Sequence, residues 1–227
     1  MTETHFSVAI DGPSGAGKST IAKAVAERFG FIYVDTGAIY RTVGLATQRA
    51  GIDPQDTDAV IALLPALDIA FAHGDDGLQH MFLNGEDVSA LIRTPEISMY
   101  ASKVSAIPEV RAFLMEMQRS MARRTSVIMD GRDIGTVVLP DAALKIFLTA
   151  SAEARAERRY KELIEKGQSV TFDEVLRDMA QRDENDTTRA AAPLRAAEDA
   201  VLLDTSTLSL AESIDAVAEL VEQRRGA

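Results

Sequence analysis

A glycine-rich segment near the start of the chain places the tightest constraint on what this sequence can fold into. Residues 12–19 read GPSGAGKS and fit the pattern G-x-x-x-x-G-K-S/T. An apolar run at residues 6–10 precedes the segment, and Ile21, Val25 and Phe29 follow it at the spacing of one helix face. A loop between a strand and a helix can direct backbone N–H groups at phosphate oxygens. The segment therefore predicts a strand–loop–helix unit that binds a nucleoside triphosphate.

Each residue type in this loop suits a particular part of a triphosphate. The Lys18 ammonium group can reach the β- and γ-phosphates, and the Ser19 hydroxyl can coordinate Mg²⁺. The residues predicted to bind the nucleotide are Gly12, Pro13, Ser14, Gly15, Ala16, Gly17, Lys18, Ser19 and Thr20.

The rest of the chain alternates short apolar runs with amphipathic segments. Thr171 with Glu174, and Ser209 with Glu212, have the spacing of capping boxes that begin helices. The alternation predicts an α/β fold, a parallel sheet with helices on both sides. Its strands are expected at residues 6–10, 32–34, 126–129, 144–148 and 200–203.

Two regions depart from this alternation. Apolar runs flank the turn-rich residues 74–77, and Asn84-Gly85 follows, which predicts small antiparallel hairpins in an insert of about residues 65–103. A second region, about residues 151–189, is highly charged and poor in apolar residues, which is typical of a mobile cover, or lid. The core is then expected at about residues 1–64, 104–150 and 190–227.

Composition limits the partners and the compartment. The net charge is −11, with 35 acidic and 24 basic side chains, so the chain as a whole repels nucleic acid and anionic lipid. Cysteine is absent, which excludes disulfides and thiolate sites and fits a reducing cytoplasm. The chain shows neither a secretory leader nor an apolar stretch that could cross a bilayer. We expect a cytoplasmic monomer without nucleic-acid or membrane partners.

The phosphate loop alone does not identify a reaction, because motors, switches and kinases share it. Guanine-specific switches carry the motif Asn-Lys-x-Asp. The two asparagines of this chain, Asn84 and Asn185, do not precede lysine. A small phosphotransferase is therefore favoured over a signalling GTPase.

Six segments in order resemble those of the bacterial cytidylate kinases: IDGPSGAGKS, DTGAIYR, IRTPEIS, DGRDIGTVV, LPDAALKIFL and QRDENDTTR. The resemblance extends from about Ser7 to Thr207. It implies the P-loop nucleoside monophosphate kinase fold, with a five-stranded parallel core, a small antiparallel acceptor-binding insert and an arginine-rich lid. It also implies a reaction in which ATP, with Mg²⁺, phosphorylates CMP or dCMP to CDP or dCDP.

The resemblance places Ser102, Arg111 and Asp133 at the acceptor base. Cytosine presents an amino donor beside two acceptors, so a carboxylate matches its amino group, and an arginine and a hydroxyl match its acceptors. Uracil presents a carbonyl where cytosine has the amino group, so an aspartate there would repel it.

The remaining site residues are also implied by the resemblance. Arg41, Arg132 and Arg189 are expected near the acceptor phosphate, Arg182 and Asp186 near the sugar hydroxyls, and Thr36 and Tyr40 in the same wall. Arg155, Arg158 and Arg159 of the lid have the spacing of one helix face. Of these, Arg158 and Arg159 are expected to contact ATP phosphate or the transferring group. Asp35 or Asp130 could hold Mg²⁺ through water. The expected catalytic residues are Lys18, Arg132, Arg158, Arg182 and Arg189.

Two other interpretations remain open at this stage. A kinase for UMP or another monophosphate would need the same loop and arginines. A regulatory module could bind ATP without any acceptor, and it would show ATP-dependent stability without CMP-dependent turnover.

Overall fold

A computed structural model describes residues 5–74, 79–165 and 167–226 of the chain. Its strands are β1 (Ser7–Asp11), β2 (Ile32–Asp35), β3 (Ile69–His73), β4 (Gln79–Leu83), β5 (Glu86–Asp87), β6 (Val127–Gly131), β7 (Leu144–Thr149) and β8 (Val201–Asp204). Its α-helices are α1 (Lys18–Phe29), α2 (Thr36–Arg49), α3 (Thr57–Leu63), α4 (Pro95–Val104), α5 (Pro108–Arg124), α6 (Ala152–Glu165), α7 (Phe172–Thr188) and α8 (Leu210–Arg225).

The chain divides into two compact units, one formed by residues up to 33 together with those from 122 onward, the other by residues 34–121. The second unit begins earlier and ends later than the insert expected at about 65–103. The finer boundaries of core, insert and lid stay a prediction.

The chain forms a five-stranded sheet with the strand order β2-β6-β1-β7-β8. Its strands β1, β6, β7 and β8 lie in the first unit, and the boundary between the units falls within β2. β1 runs parallel to both β6 and β7, and β8 runs parallel to β7. This confirms the parallel sheet predicted from the alternating apolar runs. Because parallel strands end at the same edge, the residues that follow β1 and β6 lie side by side there.

Helices α1 and α8 cover the sheet through the apolar stripes that their spacing predicts. Ile21 and Val25 from α1 pack with Val217 and Val221 from α8 against the central strands. The spacing of Leu210, Ile214, Val217 and Leu220 or Val221 predicts one apolar face of α8, but Leu210, in the first turn, is exposed. Both predicted capping boxes are present, at Thr171 and at Ser209.

The second unit contains the predicted antiparallel sheet, with the strand order β3-β4-β5. Residues 75–77 of its expected turn lie outside the described residues. Helices α2 and α4 pack closely, since a Cβ atom at Gly44 would come within 2.9 Å of the Ala101 nitrogen. This contact fixes α2 and α4 to one another.

Within the described part of the chain, no helix has the length and apolar character needed to span a membrane.

The first residue of the phosphate loop is held against the sheet. Gly12 has φ +150°, and a Cβ there would overlap the carbonyl oxygen of Leu148 in β7. We expect Gly12→Ala to lower the free energy of unfolding by at least about 3 kcal/mol, measured by urea denaturation. Gly30→Ala is the matched control, because Gly30 has φ +66° with open space around it. This variant should lower the free energy of unfolding by only about 1 kcal/mol. Equal losses in the two variants would contradict the packing argument.

Candidate active site

The phosphate loop joins β1 to α1 at the carboxyl edge of the sheet, as the sequence predicts. Lys18 begins α1 and is almost fully buried, and its Nζ donates to the Pro13 carbonyl at 2.7 Å. Burial, together with the positive charges of Arg132 and Arg182, lowers the pKa of Lys18 to about 7, although nearby carboxylates oppose the shift. A buried lysine close to two arginines makes this part of the loop suited to bind an anion.

Ser19 and Asp130 supply adjacent oxygen atoms beside the loop. The Ser19 hydroxyl donates to Asp130 Oδ2 at 2.7 Å, and Tyr33 donates to Oδ1 at 3.0 Å. No group of three histidine or acidic side chains that could hold a metal occurs among the described residues. A hydroxyl and one carboxylate suit Mg²⁺, which keeps several waters and also binds substrate phosphates. Asp35 is less available, because its oxygens accept from the Ala38 N–H and from Arg41.

Three of the predicted arginines converge on Asp186 of α7. Arg132 Nε donates to Asp186 Oδ2 at 2.7 Å. Burial alone would raise the pKa of Asp186, but Arg132, Arg182 and Arg189 outweigh it and hold the pKa below its usual value. The structure therefore brings Arg132, Arg182, Arg189 and Asp186 into one charged cluster, which also acts electrostatically on Lys18.

Asp133 belongs to a tight turn after β6 and lies against this cluster. It precedes a π-helical turn at Ile134–Val138, and its Oδ1 accepts from Arg189 Nη2 at 3.3 Å. Both carboxylate oxygens of Asp11 accept N–H groups of that turn, from Ile134 at 2.8 Å and Gly135 at 2.7 Å. Burial raises the pKa of Asp11 to about 6 although these hydrogen bonds oppose the shift. Asp11 thereby holds the backbone that carries Asp133.

The second unit contains the other predicted acceptor residues. Arg41 pairs with Asp35 at 2.8 Å, and the Arg111 guanidinium lies 5.5 Å from the centre of the Tyr40 ring. Arg111 is buried and also donates to the Ser105 carbonyl. Thr36 is the first residue of α2, and Ser102 lies on α4, which packs against that helix. Within this unit the structure groups the predicted residues along α2, α4 and α5.

The lid arginines have three separate environments, although their spacing on α6 predicts one shared face. Arg158 donates to the Thr205 carbonyl at 2.6 Å, and Arg159 pairs with Glu162 at 2.7 Å. Arg155 instead reaches the phosphate loop, where it donates to the Ser14 carbonyl at 2.9 Å. The expected contacts of Arg158 and Arg159 with ATP stay predictions.

Known proteins are similar to this chain over nearly its whole length. The family model described as "Cytidylate kinase" matches residues 8–223. A cytidylate kinase from Caldicellulosiruptor bescii is 53% identical over 95% of this chain and 95% of its own, and one from Geobacter sulfurreducens is 52% identical over 97% and 94%. The chain belongs to the cytidylate kinase family.

Two solved structures with lower sequence identity support the fold. A gluconokinase from Sinorhizobium meliloti 1021 aligns with a TM-score of 0.50 at 16% identity, covering 98% of this chain and 95% of its own. An uncharacterized protein from Eubacterium ventriosum aligns with a TM-score of 0.51 at 11% identity, covering 96% and 99%. These likenesses confirm the P-loop kinase fold. The family match and the cytidylate kinase relatives show that the chain is an ATP-dependent nucleoside monophosphate kinase.

Sequence reasoning overlooked several residues that position the site. Gln79 of β4 accepts the Asp35 N–H at 2.8 Å and donates to the Asp35 carbonyl at 3.2 Å, so it clamps the residue that orients Arg41. Asp11 supports the turn of Asp133, and Arg155 supports the loop. A polar residue at a position expected to be buried, as Asp11 is at the end of an apolar strand, was the available signal.

The buried ammonium group of Lys18 opposes the stability of the nucleotide-free protein. The folded protein releases this proton near pH 7 and the unfolded chain near pH 10.5, so Lys18 makes the free energy of unfolding rise between these values. We expect Lys18→Met to abolish that rise and to increase stability at pH 7 by about 1 kcal/mol. The variant should also bind ATP at least about tenfold more weakly, since it lacks the phosphate-binding cation.

Urea denaturation and isothermal titration calorimetry measure the two effects. Lys23→Met, on the same helix and only partly buried, is the control and should change neither quantity appreciably. A Lys18→Met protein that is less stable than the unmodified protein at pH 7 would contradict the assignment of an unfavourable buried charge.

Proposed function

We propose that this kinase transfers the γ-phosphoryl group of ATP to CMP or dCMP, giving ADP and CDP or dCDP. The observation that carries the proposal is the cationic cluster beside the glycine-rich loop, formed by buried Lys18 and by the partly buried Arg132, Arg182 and Arg189. A chain of net charge −11 that keeps four cations together at one edge of its sheet is suited to bind polyphosphate anions.

The proposed mechanism is one of positioning and charge compensation. ATP and a nucleoside monophosphate repel each other, and negative charge spreads over the transferring group in the transition state. Lys18 and the arginines of the cluster offset this charge, and the planar arginine side chains donate to phosphate oxygens in pairs. The acceptor phosphate is already ionised, so no general base is needed. We assign Arg132 and Arg189, with Arg41, to the acceptor phosphate and Arg182 and Asp186 to the sugar.

A magnesium ion bound by Ser19, with Asp130 acting through water, would neutralise charge on the ATP phosphates. The hydrogen bond between Ser19 and Asp130 keeps both oxygen ligands together before any ion arrives. Tyr33 holds the other Asp130 oxygen in place.

We assign the reading of the cytosine base to Ser102, Arg111 and Asp133. The Asp133 carboxylate is fixed by Arg189 and by the turn that Asp11 supports, so it offers acceptors in a defined direction. Arg111 is likewise fixed by Tyr40 and the Ser105 carbonyl. Preorganised groups of this kind discriminate between bases, because a mismatched base leaves buried polar atoms unpaired.

The net negative charge supports a protein that acts without a nucleic-acid or membrane partner, and we propose that it functions as a cytoplasmic monomer.

An acceptor panel tests the proposal directly. ADP release would be measured with ATP and CMP, dCMP, UMP or AMP in turn. We expect kcat/KM for CMP or dCMP to exceed that for UMP by at least about a hundredfold, the discrimination that a site built around acceptor–donor matching can reach. Equal values for CMP and UMP would favour a kinase of different base preference. ATP binding without turnover on any acceptor would favour a regulatory module.

The side chain at position 133 should determine the preference between the two pyrimidines. In Asp133→Asn the amide can donate to the uracil carbonyl, so kcat/KM for CMP should fall about tenfold or more while that for UMP falls less or rises. Asp141→Asn, an exposed aspartate in the same unit, is the control and should leave the CMP-to-UMP ratio unchanged. An unchanged ratio in Asp133→Asn would remove this residue from the base site.

A further inference from the structure

The backbone N–H and the backbone carbonyl of Ser14, in the phosphate loop, are both held by one ion pair. Its N–H donates to Asp183 Oδ1 at 3.2 Å, and its carbonyl accepts from Arg155 Nη1 at 2.9 Å. The same Arg155 nitrogen donates to Asp183 Oδ2 at 2.5 Å. Arg155 Nε donates to the Ala150 carbonyl at 3.0 Å, which anchors the guanidinium at the start of α6.

Packing at the next residue confirms that the loop is docked on the lid helices. A Cβ at Gly15 would come within 2.6 Å of the Met179 terminal methyl and 3.2 Å of the Arg155 Cβ. The side chain of Arg155 is 10% exposed and that of Asp183 is 20% exposed, so water screens their charges only in part. The Ser14–Gly15 corner therefore contacts both α6 and α7.

The Asp183 carboxylate accepts the Ser14 N–H, which belongs to a loop whose N–H groups are suited to bind phosphate oxygens. A carboxylate oxygen and a phosphate oxygen accept the same kind of hydrogen bond, so both cannot take the Ser14 N–H at once. The charge of Asp183 also extends to Arg132, whose pKa it raises together with Asp186 and Asp130 against the effect of burial. A fixed anion thus lies among cations that the proposed mechanism assigns to phosphate.

We infer that Asp183 is a resident anion of the nucleotide-free loop, which a nucleotide phosphate displaces from Ser14, and that Arg155 is thereby released to pair with that phosphate. The inference rests on the proposed function, in which the loop binds the phosphates of ATP. Asp183 is on this account a positioning residue, and Arg155 is a further phosphate-binding residue.

A purely structural role for Asp183 makes the opposite prediction about affinity. If the carboxylate only stabilises the loop, its removal lowers stability and weakens phosphate binding together. If a phosphate must displace it, its removal lowers stability but tightens phosphate binding, because one like charge is gone and Arg155 is free. The sign of the affinity change therefore separates the two roles.

The experiment is a calorimetric titration of the full chain with inorganic tripolyphosphate and, separately, with ATP. Asp183→Asn should bind tripolyphosphate on the order of fivefold more tightly than the unmodified protein, the factor that one like charge about 4 Å away contributes in water. Asp183→Glu keeps the charge and should bind close to the unmodified protein. Glu184→Gln is the matched control, an exposed carboxylate next along α7, and should change the affinity by less than about twofold.

Each remaining outcome is decisive. Unchanged or weaker tripolyphosphate binding by Asp183→Asn, with normal CMP-dependent turnover in the unmodified protein, overturns this inference and leaves the proposed function intact. An unmodified protein that binds neither tripolyphosphate nor ATP overturns both. Asp183→Ser is a second neutral variant, and failure of both neutral variants to fold overturns the inference in favour of the structural role.

Discussion

The pairing of buried cations with carboxylates is the interaction on which the candidate site depends. Arg132 and Asp186 form the central pair, and Arg182 and Arg189 act on the same carboxylate. Without Asp186, these guanidinium groups would repel one another in a region that excludes much of the water. With it, the guanidinium groups are held close together in a defined arrangement.

This balance makes the site suited to bind anions, and it also makes the nucleotide-free site locally unfavourable. Burial of the charged Lys18 is unfavourable in the nucleotide-free protein, where the pKa of this lysine falls to about 7. Phosphate groups would restore the missing negative charge and return the lysine to its charged form. Electrostatic preorganisation of this kind reduces the rearrangement needed when the transferring group develops its charge.

Much of the fold could be predicted from the sequence, because strand and helix signals are local. The apolar run 6–10 and the stripe of Ile21 and Val25 indicated β1 and α1 on either side of the loop, and the structure confirms them. The clustering of Arg132, Arg182 and Arg189 rested on resemblance, since no local pattern shows that segments 50 residues apart meet.

The residues that sequence reasoning missed act through tertiary contacts. The spacing of Arg155, Arg158 and Arg159 predicts one face of α6, but it does not reveal that Arg155 is buried against Ser14 while Arg159 pairs with Glu162. Gln79 likewise has no sequence signal beyond that of a strand residue, and only the fold shows that its side chain accepts the Asp35 N–H. Burial of a polar side chain decides such roles, and burial depends on the complete fold.

Asp11 joins two tasks in a single side chain. It ends β1 immediately before Gly12, and its two oxygens hold the N–H groups of Ile134 and Gly135. The phosphate loop and the turn that carries Asp133 are therefore both positioned by Asp11. With Asp133 proposed as a base-recognising residue, a change at Asp11 would disturb the phosphate loop and the proposed base site in the same step, so redesign of the base preference would have to leave Asp11 unchanged.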